Sequence, residues 1–327
     1  MGRRRRKDKH LPERMYLRSG TYYFAEYGTN KWINLGRDYV KAMATYAVQT
    51  AEDGPCLTMS DLIKRYLHEI APLKAERTYR DNVKQARYLR AFFGDMRLQD
   101  VTQPHIYKYR DERGKSSKVQ ANRELSLLSH MFKHAVMWGD LHHSANPCVS
   151  IQRFKEHARD RYIEDWEFDA FKDYAGPLIA AYMEFQYVTG FRQGDILAIR
   201  LEQLKDDGIH ITIGKSGKKH IMDWSDGLHA AVSAIRQLER PVRGLYLFCT
   251  RTGQPYTGDG FRSIWQRKMR SALETGILKE RFCSHDIRAK AASDTDLQHA
   301  VELMTHQDGR ITQKHYRRKP ERVRPLR

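Results

Sequence analysis

LMTHQDGRITQKHY, residues 303–316, closes on Tyr316, a phenol set among arginines, lysines and histidines. One of 18 tyrosines beside a basic run is ordinarily a surface residue, so its task has to come from other segments. TGFRQGDILAIRL, residues 189–201, sets Arg192 two residues after a glycine and Asp195 three residues further on. SHDIRAKAA, residues 284–292, spaces His285 and Arg288 so that a helix would present both on one face. Each segment alone is weak, but together they suit phosphoryl transfer. Cleaving a phosphodiester needs a nucleophile, positive charge on the phosphate oxygens and an acid for the leaving hydroxyl. Arginine's planar fork meets two phosphate oxygens at once, each charge-assisted bond contributing roughly 1.5–3 kcal/mol. A dense positive field also favours a phenolate over a phenol. The carboxylates show no clustered metal-ligand pattern, so two guanidiniums are expected to do the work that metals do in many nucleases.

The whole-chain balance points to the same partner. Among 327 residues, 58 basic against 40 acidic side chains give a formal charge of +18. Such a surface attracts polyanions, nucleic acid first among them. No run approaches the roughly 18 apolar residues of a membrane span, and MGRRRRKDKH lacks the apolar stretch of a secretory leader. Cys56, Cys148, Cys249 and Cys283 are scattered without a CxxC pair, which fits reduced thiols in a cytoplasm and argues against structural zinc.

Mainly helical, multidomain architecture with small β elements is expected. Residues 1–55 carry a basic arm, Arg3, Arg4, Arg5 and Arg6, then MYLRSG, TYYFAEYG and TNKWINLG, which read as a three-stranded sheet followed by a helix over DYVKAMATYAVQ. A basic arm on a short sheet suits docking in a DNA groove. Residues 57–150 read as four amphipathic helices, the first opening after a Ser60 cap and the second stopping at Gly94. The fourth exposes Lys118 and Arg123, candidates for phosphate contact as much as for plain solvated surface. Residues 151–161 read as a linker. Residues 162–327 read as an α-rich domain, with a helix over FRQGDILAIRLEQL and a hairpin over IHITIG and KHIMDW around GKSGK.

These boxes, in this order, resemble those of the tyrosine recombinases, the phage integrase family. The resemblance implies that Arg192, His285, Arg288 and His306 bind the scissile phosphate and assist proton transfer, with Asp195 supporting them and Tyr316 as nucleophile. It implies a hairpin lysine as general acid; Lys215 fits best, with Lys218 and Lys219 nearby. Residues 117–147 resemble the last helix of the family's core-binding domain, and the N-terminal stretch is similar to the arm-binding domain of lambda-type integrases. The implied activity is integration and excision of phage or genomic-island DNA through a 3′-phosphotyrosyl link and a Holliday junction. No metal, ATP or other cofactor is implied. The implied partners are double-stranded core and arm DNA sites, three further copies in a tetramer, a host DNA-bending protein and an excision factor, all in a bacterial cytoplasm. Two departures stand out: His306 and Tyr316 lie ten apart where the family usually has nine, and Met-Thr-His replaces the commoner Leu-Gly-His. One extra residue turns a helical side chain by about 100°, so the local backbone is expected to adapt. The basic stretch 310–327 would either pack on a neighbouring protomer or stay free. A type IB topoisomerase and a non-catalytic DNA-binding regulator remain alternatives.

Overall fold

The computed structural model describes residues 8, 10–26, 31–50, 57–141, 146–214, 217–304 and 309–320. The arm Arg3–Arg6, Lys215 and His306 lie outside these described residues. Two compact units emerge, residues 1–157 and 158–327.

In the first unit, β1 (Met15–Arg18), β2 (Thr21–Ala25) and β3 (Trp32–Gly36) form an antiparallel sheet in that order. Met15 pairs with Phe24, and Phe24 with Ile33. Strand alternation sends Met15, Phe24 and Leu35 into the core and leaves Tyr16, Arg18, Tyr23 and Trp32 on the other face. Helix α1 (Tyr39–Gln49) follows, its first amides taken up by the Asp38 carboxylate. The bundle consists of α2 (Met59–Glu69), α3 (Glu76–Phe93), α4 (Gln103–Ser116) and α5 (Lys118–Met137). Helix α2 starts at Met59 and not after Ser60, because Thr58 and Asp61 form a reciprocal capping box. Gly94 ends α3, and Pro104 sits in the first turn of α4. Sheet, α1 and bundle share one continuous apolar core, in which Met15, Phe24 and Tyr46 join Leu62, Leu89 and Leu128.

The second unit begins with α6 (Asp165–Ala175) and α7 (Pro177–Thr189), the latter buried along most of its length. Helix α8 spans only Gln193–Ala198, less than half of what the sequence pattern suggests. Ile199 turns extended, and the backbone of residues 199–201 bonds instead to Leu245 and Leu247 at 2.9 and 2.8 Å. Tertiary pairing outweighs helical periodicity there. Next come β4 (Leu204–Lys205), β5 (Gly208–Thr212) and β6 (Lys219–Met222), an antiparallel sheet whose hairpin pairs Thr212 with Lys219. Helices α9 (Asp226–Arg236) and α10 (Gly258–Glu274) complete the main core. Then α11 (Ser284–Ser293), α12 (Leu297–Met304) and α13 (Gly309–His315) close the described chain. The small side chains Ala289, Ala291 and Ala292 on α11 let Met304 of α12 and Tyr316 approach closely enough to form a second, minor core. No helix among the described residues is long and apolar enough to cross a membrane.

Candidate active site

The site is built around α11. Its N-terminus is fixed twice: Asp286 accepts the Cys283 amide at 2.8 Å, and Ser284 bonds to Tyr182 and Gln186 of α7 at 2.9 and 3.1 Å. His285 and Arg288 then project from one face, as their spacing requires. Tyr316 is the first residue past α13, its amide bonded to the Thr312 carbonyl at 2.9 Å. Its ring meets the His285 ring edge-on at 5.4 Å between centroids, and the Arg288 guanidinium lies 5.3 Å from the ring centre. Tyr316 is 8% exposed and Arg288 1%, whereas His285 keeps one side open to solvent while packed protein surrounds the rest.

Arg288 is also a brace. Its guanidinium donates to the Gly190 carbonyl at the end of α7 and, at 2.7 Å, to the Met304 carbonyl at the end of α12. Its Nε is buried with no hydrogen-bond partner among the described residues. Gly190 terminates α7 in the left-handed region at φ 61°, and Arg192 follows as the residue capping α8. Thus one arginine links the segment that launches Arg192 to the segment leading toward residue 306. Asp195, on α8, accepts the Gly214 amide at 3.0 Å and so ties α8 to the hairpin just before position 215. Arg192, Asp195, Thr212 and Gly214 line a pocket of about 430 Å³.

Electrostatics join these groups. Burial, and then the Arg192 charge, push the Arg288 pKa down to about 10, against the opposing pull of the Tyr316 hydroxyl and Asp195. Arg288 therefore stays charged at neutral pH. The packed protein around His285, followed by the charges of Arg288 and Arg318, holds its imidazole below the usual value, with Arg192 adding to the effect and Asp286 opposing it. A neutral imidazole beside a phenol and two guanidiniums can take a proton while the cations hold an anion.

Of the residues singled out from sequence, Arg192, Asp195, His285, Arg288 and Tyr316 converge here. Lys215 and His306 fall outside the described residues. Lys118 and Arg123 are exposed on α5 of the other unit, where Lys118 lies 5.8 Å from the Phe154 ring centre and Arg123 pairs with Glu156 at 3.4 Å. Sequence reading placed Gly190 at the end of its helix, as found, but missed Asp286, Ser293 and Arg318. At residues 317–319 the segment after Tyr316 packs on its own domain: Arg318 reaches Asp286 at 2.7 Å, and Lys319 reaches Asp294 at 3.4 Å. Its unbroken run of cations gave no hint of which one would turn inward.

Residues 170–322 match the phage integrase family. The chain is 26% identical over 244 residues to the integrase of Escherichia phage HK022, an alignment covering 67% of each. Two solved structures share the fold. One is a lambda integrase dimer bound to a COC′ core site, with a TM-score of 0.71 at 18% identity, covering 99% of both chains. The other is a lambda integrase tetramer bound to a Holliday junction, with a TM-score of 0.67 at 18% identity, covering 91% of this chain and 97% of that one. With the segments singled out from sequence in family order, residues 170–322 carry a domain that matches the phage integrase family, on a fold shared with lambda integrase.

Proposed function

We propose that the chain is a site-specific DNA recombinase that integrates and excises mobile DNA, with Tyr316 as its nucleophile. The phenolic oxygen attacks the scissile phosphorus, a P–O bond to tyrosine forms, and the bond from phosphorus to the 5′-oxygen breaks. Arg192 and Arg288 hold the phosphate oxygens as negative charge accumulates on them. His285, neutral and in ring contact with Tyr316, takes the phenolic proton. His306 assists at the phosphate, and Lys215 gives a proton to the departing 5′-oxygen. The phosphotyrosyl link retains the energy of the broken strand, so a 5′-hydroxyl from a second duplex reverses the reaction without ATP. The observation that carries this reading is the meeting of Tyr316 with His285 and Arg288, whose charge in turn responds to Arg192 and Asp195.

Residues 57–150 and 162–327 would clamp a core site and residues 151–161 would link them. Residues 1–55 would read separate arm sites through the aromatic, arginine-bearing face of the sheet. Four copies would act on two duplexes through a Holliday junction, as the lambda tetramer's junction complex suggests, with a host DNA-bending protein and an excision factor directing the outcome. Lys118 and Arg123 would contact phosphates of the core site.

The test is covalent capture. The full chain is incubated with a library of nicked suicide duplexes of randomised sequence, and SDS-resistant adducts are isolated and mapped. Attachment to Tyr316 through a 3′-phosphate is expected, and Tyr316→Phe should abolish the adduct while leaving duplex binding within about twofold. A chain that binds DNA yet never forms an adduct would be a regulator; one that nicks and reseals but exchanges no strands between duplexes would be a topoisomerase.

A further inference from the structure

The backbone segment that carries the phenol is held by a side chain outside the segments singled out from sequence. Arg318, two residues past Tyr316, turns inward until its side chain is 6% exposed. One terminal nitrogen donates to the Asp286 carboxylate at 2.7 Å and to the Arg161 carbonyl at 3.1 Å, while Nε donates to the His315 carbonyl at 3.1 Å. Its backbone amide donates to the Ser293 hydroxyl at 2.8 Å, whose single proton is shared between the Ala289 carbonyl of α11 at 2.7 Å and the Tyr316 carbonyl at 3.0 Å. The nucleophile is therefore gripped from both neighbours: His315 before it through a carbonyl, residue 318 after it through an amide. Both grips end on α11, the helix that carries His285 and Arg288.

We infer that Arg318 and Ser293 are positioning residues for the nucleophile, locking the Tyr316 backbone onto α11 so that the phenol faces His285 and Arg288. This rests on Tyr316 being the nucleophile. A tail that merely packs against the domain would not need its arginine aimed at a fully buried carboxylate of the catalytic helix, nor a serine joining its amide to the carbonyl of the reacting residue. Asp286 is 0% exposed and also pairs with Arg159 at 2.8 Å. Removing Arg318 thus leaves this carboxylate a cationic partner, and the domain keeps its charge balance at that point while the tyrosine loses its anchor. Asp294 adds a second hold on the same segment, bonding Lys319 while also serving Lys290 at 2.9 Å and Tyr162 at 2.5 Å.

The experiment uses the full chain and the nicked duplex recovered by covalent capture, at saturating DNA, and follows adduct formation in a single turnover. For Arg318→Ala the rate constant should fall about tenfold to a hundredfold, as a displacement of the reacting group on the order of 1 Å does. Adduct amplitude and DNA affinity should stay within twofold of the parent, and added guanidinium should recover part of the rate. Ser293→Ala removes one oxygen and leaves every ion pair in place; it should slow cleavage about tenfold and carries the same prediction if the arginine variant does not fold. Lower amplitude with an unchanged rate constant would mark a purely structural role and overturn the inference. So would parent-like rates in both variants. If the parent itself forms no adduct on Tyr316, the nucleophile assignment fails and this inference falls with it; a parent adduct with unaffected variants sinks this inference alone.

Discussion

Replacing Gly190 with alanine tests whether the packing behind Arg288 is as tight as its geometry states. The residue sits at φ 61°, where a side chain costs roughly 1–2 kcal/mol. A methyl group there would stand 2.6 Å from Met304 Cε and 2.9 Å from Leu303 Cγ. Overpacking of that kind costs about 1–3 kcal/mol, the lower part of the range applying where a flexible methionine can give way. The expected loss is therefore about 2–4 kcal/mol, a large share of the roughly 5–15 kcal/mol that stabilises a typical domain. Urea unfolding followed by circular dichroism would read it as a lower midpoint at unchanged slope. Because the Gly190 carbonyl accepts from Arg288 and α12 is the element displaced, single-turnover cleavage should also slow by at least about tenfold at temperatures where the variant is folded. A stability loss under about 1 kcal/mol together with parent-like cleavage would show that α12 does not abut this turn.

Other consequences can be measured separately. Trp32→Ala removes the ring on which Arg18 rests at 4.1 Å; arm-site affinity should drop about tenfold in a gel-shift assay with core-site cleavage intact, and equal affinity would remove the sheet from arm recognition. Arg90 is 3% exposed, with both terminal nitrogens unpartnered among the described residues, so Arg90→Met should raise stability by about 1–3 kcal/mol, and a loss of stability would mean that the charge is compensated. Burial, first among the causes, lowers the pKa values of His10, His130, His134, His220 and His285 below 6.5. A histidine depressed in the folded state contributes stability that is fully present above its unfolded value and is lost as pH falls through the folded one. The urea midpoint should thus be lower at pH 5 than at pH 7, and equal midpoints would refute these shifts.

Regular elements were largely legible because their signals are local. The sheet of residues 15–36 shows its turns as Ser-Gly and Asn, and α3 shows its end as Gly94. What escaped depends on partners remote in sequence. The run from Phe191 to Leu204 has helical periodicity throughout, but the pull of Leu245 and Leu247 on residues 199–201 is invisible until the chain folds. The site divides the same way. Arg192, His285, Arg288 and Tyr316 stand out because their chemistry is unusual in that order. Arg318 does not, since in a run of Arg317, Arg318 and Lys319 only the fold decides which cation meets Asp286. Tyr316 itself sits just beyond α13, where the Thr312 carbonyl accepts both its amide and that of Arg317, at 2.9 and 3.2 Å.

The single apolar interior shared by sheet, α1 and bundle bears on engineering. An arm reader mounted on a flexible tether could be exchanged like a cassette, retargeting the enzyme without touching the rest. Here a transplant of residues 8–50 alone would pull Met15, Phe24 and Tyr46 from their sockets and leave Leu62 and Leu89 facing foreign side chains. Chimeras should therefore exchange residues 8–141 as a block, or graft only the outward residues Tyr16, Arg18, Tyr23 and Trp32 onto the resident scaffold.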